Sequence, residues 1–131
     1  MKKYLFDTCA LIFALGIDKR AQNLQSLIDD HEVYISVVNV WEIAIKSEKG
    51  QMSLSLSLEE LTERCEHALK GIVSIDPPDI SKYRDLMKKT KHRDPFDIML
   101  IAQAQIRALS LVTSDEILLI DFKKFTKSIS V

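Results

Sequence analysis

Residues 92–115 read HRDPFDIMLIAQAQIRALSLVTSD, and this stretch decides the fold. Pro95 suits the first position of a helix, because the amide proton it lacks would be unsatisfied there anyway. Asp94 then falls at the N-cap and Asp97 at the third helical residue. The helical pattern runs to about Leu109, after which Leu111, Val112 and Thr113 read as a short strand. Asp115 follows two residues past the end of that strand. A helix handed directly to a strand, with an acid just beyond it, is a unit of α/β architecture.

The same alternation extends outward in both directions. Tyr4, Leu5 and Phe6 read as a buried strand ending at Asp7, followed by a helix over 8–15 with Thr8 as N-cap. Further helices are predicted over 21–30, 39–49, 58–69 and 79–89. Gly50 stops the second of these and Gly71 follows the third. Strands are predicted over 33–37 and 72–75, with a short last one over 128–131. The expectation is an α/β sandwich, a mostly parallel central sheet flanked by helices. At 131 residues the chain fits a single domain, residues 1–131.

Composition excludes several classes. A hydrophobic fraction of 47% with 28% charged residues speaks for a globular fold rather than disorder. Cys9 and Cys65 stand far apart with no His or Cys at ligand spacing, which disfavours a disulfide scaffold or a zinc site. Lys2 and Lys3 before an apolar run superficially resemble a secretion signal, yet Asp7 interrupts the run and no Ala-x-Ala site follows. No stretch has the ~18 apolar residues of a bilayer span. The expectation is a cytoplasmic protein without a membrane partner. A net charge of −1 argues against coating nucleic acid by bulk electrostatics, but leaves room for a local basic rim.

Ligands of parallel α/β sheets bind beyond the carboxyl ends of the strands. Asp7 and Asp115 fall there. Asp7 lies between an apolar strand and an apolar helix, where an unpaired carboxylate is costly to bury. Capping the following helix is an equally good reading of it. Glu42 borders the apolar face of its helix, and an exposed pair with Lys46 at i+4 explains it locally. Asp94 and Asp97 together mimic a capping box, a stronger account of Asp94 than of Asp97. Each acid thus has a structural reading. Jointly, carboxylates gathered at one sheet edge would repel unless a hard cation neutralised them, and oxygen donors suit Mg²⁺ or Mn²⁺.

Four segments, LFDTCALI around Asp7, SVVNVWEIAIK around Glu42, HRDPFDIMLIAQA around Asp97 and LVTSD around Asp115, occur in order along the chain. With these the sequence resembles the PIN-domain nucleases, in particular the VapC-like toxins of toxin–antitoxin pairs. The resemblance implies a Mg²⁺ or Mn²⁺ site and hydrolysis of single-stranded RNA. It also implies a homodimer and inhibition by a small antitoxin. Carried over by position, Asp7 and Asp97 are the main metal ligands. Glu42 is a ligand or water orienter, and Asp115 belongs to a second site or stands behind the first. Thr113 matches a polar position beside the site, and Asp94 a residue of the subgroup's motif standing behind the ligands.

Two positions depart from the pattern. Asn39 stands where many relatives carry a hydroxyl, and Ile98 where many carry Arg. Lys91, His92 and Arg93 are expected to supply the missing positive charge and, with Lys46 and Lys49, to form an RNA-binding rim. A solvated loop capping the preceding helix is the competing reading of 91–93. A receiver domain would require a second acid beside Asp7, and a haloacid-dehalogenase-like phosphatase an Asp where Cys9 stands. The remaining rival is a non-catalytic PIN-like module that binds RNA or a partner.

Overall fold

The structure is a computed structural model, and it describes residues 1–16 and 19–129. Strand β1 spans Lys3–Phe6 and helix α1 Thr8–Ala14, followed by α2 over Lys19–Asp30 and β2 over Glu32–Ser36. Helices α3 (Val37–Glu48) and α4 (Leu58–Ala68) precede β3 (Gly71–Val73). Helices α5 (Pro77–Met87) and α6 (Pro95–Arg107) lead to β4 (Ser110–Thr113). Helix α7 (Glu116–Asp121) and a 3-10 turn (Lys123–Phe125) end in β5 (Thr126–Ser128).

The five strands form one sheet in the order β3-β2-β1-β4-β5, and every pairing is parallel. The expected α/β fold with a flanked, mostly parallel sheet is therefore present, and its sheet is wholly parallel. Side chains alternate across a strand, so each central strand feeds two cores. Tyr4 and Phe6 of β1 and Val112 of β4 join Leu11, Leu24, Ile43 and Leu61 on one face. Leu5 and Leu111 join Leu86, Ile98, Ile101 and Leu118 on the other. A layer of helices covers each face, as a parallel sheet requires.

Caps and turns set the boundaries. Asp7, rather than Thr8, is the N-cap of α1: its carboxylate accepts from the Ala10 amide at 2.7 Å. Helix α3 begins at Val37, which the β-branched run after Val33 assigns to a strand. A capping box fixes the earlier start, with Ser36 accepting from the Val38 amide at 3.0 Å and Asn39 from the Ser36 amide at 2.7 Å. Gly50 follows α3 with φ 72°, a left-handed turn that supports its role as a stop. Strand β3 is short and precedes Ile75, and β5 begins at Thr126, earlier than predicted. Residues 130 and 131 of the predicted last strand lie outside the described residues.

An ion pair ties α5 to α6. Arg107 grips the fully buried Asp79 with both guanidinium nitrogens, at 2.7 and 3.0 Å. Burial works against the Asp79 charge, yet Arg107, the Asp76 amide and Gln103 together hold its pKa below the usual carboxylate range. Breaking so buried a pair would leave an uncompensated charge, so it fixes the two helices relative to one another.

Candidate metal centre and its surroundings

The strand order reverses between β1 and β4, which neighbour each other while their following connections lead apart. A crevice at the carboxyl ends of the strands is the expected result. Asp7 enters it from β1, Asp115 from β4, Glu42 from α3 and Asp97 from the first turn of α6. The four acids expected from the sequence are thus brought to one end of the sheet.

Asp7 is 5% exposed. Burial pushes its pKa up to about 6, against the Thr113 hydroxyl and the Ala10 amide, and the charges of Glu42 and Asp115 push it further the same way. Thr113 stands between two acids: its hydroxyl bonds the Asp7 carboxylate and its oxygen accepts from the Asp115 amide at 3.1 Å. Asp97 is raised further, to about 7. Burial is the main cause, and the carboxylates of Asp94, Asp7 and Glu42 add to it, while His92 opposes them. Asp115 moves the other way: burial raises it, but the Leu118 amide and His92 outweigh burial and hold it below the usual range.

Glu42 is not a surface residue. Only 3% of it is exposed, and its pair with Lys46, at 2.8 Å, lies in the wall of the crevice. The Thr8 hydroxyl donates to its other oxygen at 2.5 Å. Asn39 donates at 3.2 Å both to Thr8 Oγ1 and to the Phe6 carbonyl. One amide side chain thereby locks the end of β1 to α3 and sets the angle from which Glu42 approaches Thr8. Cys9 lies nearby. Partial burial of its sulfur and the Asp7 charge push the thiol pKa up, which makes it a poor nucleophile.

His92, expected with Lys91 and Arg93 at the mouth of the pocket beside Asp97, does lie beside Asp97, but buried rather than on a basic rim. His92 is 8% exposed and points inward, with Nε2 2.9 Å from Asp115 Oδ2 and 3.3 Å from Asp97 Oδ2. Its Nδ1 accepts the Asp94 amide at 3.2 Å, so the hydrogen-bond pattern assigns the ring proton to Nε2. One ligand atom each of His92, Asp97 and Asp115 lie within 4.8 Å of one another. With Nε2 protonated, His92 bridges the two carboxylates as a donor rather than serving as a third ligand. Asp94 caps α6, accepting from the Phe96 and Asp97 amides at 2.9 and 3.4 Å.

The basic candidates separate. Lys46 and Lys49 border a cleft between α3 and the start of α6, together with Asp94 and Phe96. Lys91 and Arg93 line a separate hollow with Lys88, Lys89 and Asp121, and Arg93 donates to the Met87 carbonyl at the end of α5, 3.0 Å away. The helix-capping reading of that loop therefore holds for Arg93.

The sequence profile of the PIN domain matches residues 4–124, nearly the whole chain and all four acids. The chain belongs to the PIN-domain family. A search of curated proteins gave no significant match. Among solved structures, this PIN domain is similar to FitAcB from Neisseria gonorrhoeae, at TM-score 0.70 and 18% identity, covering 97% of this chain and 98% of that one. It is similar to DNA-bound VapBC from Salmonella typhimurium at TM-score 0.66 and 21% identity, covering 98% and 99%. A toxin–antitoxin complex from Klebsiella pneumoniae matches at TM-score 0.65 and 22% identity, covering 88% and 89%. At these identities the likeness speaks for the fold.

The PIN domain's donor set fits a hard cation. It offers carboxylate oxygens in a buried crevice, where two acids are driven toward protonation partly by their neighbours' charge. Sequence reading missed three supporting groups: the His92 bridge, the Thr8 hydroxyl on Glu42, and the Asn39 clamp. All three depend on contacts across more than 20 residues; the sequence marked His92 as a rim residue, Thr8 as an N-cap and Asn39 as a departure, but none of them in the role seen here.

Proposed function

We propose that this PIN domain is a metal-dependent endoribonuclease that hydrolyses phosphodiester bonds of single-stranded RNA, acting as the toxin of a toxin–antitoxin pair in the cytoplasm. The observation that carries the reading is the crowding of buried carboxylates at the β1–β4 crevice, with Asp7 and Asp97 held up at about 6 and about 7. A pocket that resists its own ionisation is stabilised by a cation, and proton release accompanies binding. Asp7 and Asp97 would hold Mg²⁺ or Mn²⁺, with Glu42 and Asp115 beside them. Bound there, such a cation supplies an activated water and neutralises charge developing on the phosphate.

The chain's own groups do the positioning. Thr113 fixes the Asp7 carboxylate, His92 holds Asp97 and Asp115 at a set separation, and Lys46 pairs with Glu42 and orients it. The toxin role is supported by the like fold of the toxin–antitoxin complex from Klebsiella pneumoniae. A small antitoxin is the corresponding partner. A second copy of the chain is the other, and Trp41, 57% exposed and packed edge-to-face on Phe96 at 5.0 Å, offers apolar surface for it. No described helix is long and apolar enough to cross a membrane.

The test is cleavage of a panel of labelled single-stranded RNAs with Mg²⁺ or Mn²⁺ and with chelator. Cleavage should require the divalent ion. Asp7→Asn should lower it at least ~100-fold, a loss of several kcal/mol in transition-state stabilisation. The fold should persist, because Asn caps a helix as well as Asp. Chelator-resistant cleavage, or near-normal turnover by the variant, would overturn the assignment. RNA binding without cleavage under any divalent ion would leave the non-catalytic module standing.

A further inference from the structure

Loop 90–94 is a wall with two sides. On one side His92 reaches the carboxylates of the crevice; on the other, Lys91 and Arg93 face a hollow of about 660 Å³. Lys88 and Lys89, at the end of α5, complete its basic lining, and Ile117 and Asp121 of α7 close it. The lining thus carries four cations against one carboxylate, and that carboxylate already accepts the Thr90 hydroxyl at 2.7 Å. Among the described residues none of the three lysines lies within ion-pairing distance of an acid. In a molecule of net charge −1 this is a marked local concentration of unpaired positive charge.

We infer that this hollow binds the phosphate backbone of the RNA strand on one side of the scissile bond, through Lys88, Lys89 and Lys91. The inference rests on the nuclease reading above for the identity of the strand. Continuity decides between nucleic acid and an acidic protein segment. The wall shared with the crevice begins at Thr90, and α7, which closes the hollow, is capped by Asp115 itself. A chain that leaves the acids over loop 90–94 therefore meets the lysines on the far side of that wall. Arg93, tied to the Met87 carbonyl, shapes the rim, while the lysines are free to follow successive phosphates. Ile117, 48% exposed, gives sugars and bases an apolar contact. Contacts of this kind bind without reading sequence, so the hollow contributes affinity and strand direction.

The experiment measures binding of a fluorescent single-stranded RNA 12-mer in chelator, so that cleavage plays no part, over a series of salt concentrations. Each phosphate contact on a single strand contributes about −0.7 to the slope of log affinity against log salt. The triple variant Lys88→Gln, Lys89→Gln, Lys91→Gln should make the slope shallower by about 2 and weaken binding on the order of tenfold or more. Gln keeps the aliphatic stems, and a thermal melt checks that the fold survives. As control, Lys2→Gln with Lys3→Gln removes charge at the opposite end of the sheet and should leave the slope unchanged. An unchanged slope in the triple variant overturns the inference, as does an equal change in the control. So does tighter binding of a glutamate 12-mer than of RNA at these lysines, which would mark a protein-binding surface. A wild-type protein that binds RNA through the hollow but never cleaves it would overturn the nuclease reading and leave the hollow intact.

Discussion

His92 holds one proton between two acids. Its Nε2 reaches Asp115 and Asp97 at 2.9 and 3.3 Å, and the Asp94 amide on Nδ1 fixes which nitrogen carries that proton. Removing the ring leaves two carboxylates facing each other with no donor between them. We expect His92→Ala to lower kcat for RNA cleavage by roughly 10–100-fold, the usual cost of losing a partner that orients metal-binding carboxylates. His92→Gln, which retains a donor, should recover part of the loss. An unchanged kcat with a raised KM would return His92 to the RNA-binding rim. The sequence shows His92 only as the middle of Lys91-His92-Arg93, three basic residues in a loop. Its burial depends on Asp115, 23 positions later, and nothing local distinguishes it from its neighbours. Asp7, Asp97 and Asp115 were legible because each falls just past a strand or in the first turn of a helix, positions that pattern alone locates, whereas Glu42, inside α3, was marked only by the resemblance.

The first turn of α6 separates capping from chemistry. Asp94 accepts two amide bonds there, whereas Asp97 accepts none of them and is raised to about 7. Asp94→Ala should therefore cost about 1 kcal/mol of stability in urea unfolding. Asp97→Asn should cost nothing and should stabilise the chelated protein at pH 8, because it removes a buried charge. Calorimetry should find Mg²⁺ binding lost in Asp97→Asn and retained in Asp94→Ala; equal loss in both would abolish the distinction. Other elements show where pattern reading fails. Helix α3 begins with Val37 and Val38, whose side chains favour strands, and only its capping box overrides that preference. Helix α7 went unread because six residues, EILLID, are too few to display a helical period. The α6–β4 unit was read correctly because thirteen residues with a Pro start leave little ambiguity.

Stability and pH are linked through the crevice as a whole. Asp7 and Asp97 in the folded, metal-free chain keep protons that the unfolded chain releases above about pH 4. The folded state then binds more protons across the window from about pH 4 to pH 7, so stability falls as pH rises through it. Asp79 and Asp115 have lowered pKa values, and their contribution is lost only on acidification below that window. Urea unfolding in chelator should show the protein less stable at pH 8 than at pH 5, by roughly 2–4 kcal/mol. Saturating Mg²⁺ should raise the melting temperature more at pH 8 than at pH 5, because binding requires deprotonated ligands. A metal effect independent of pH would mean that the raised acids do not hold the ion. The strand order adds a consequence in time. Strand β1 is synthesised first yet lies at the centre of the sheet, and its partner β4 is synthesised more than 100 residues later. A nascent chain on the ribosome can pair β1 with β2, but its other edge stays open until Ser110–Thr113 emerge. Asp7 waits throughout that interval for Thr113 and Asp115, so the growing polypeptide carries no assembled crevice until β4 has left the ribosome.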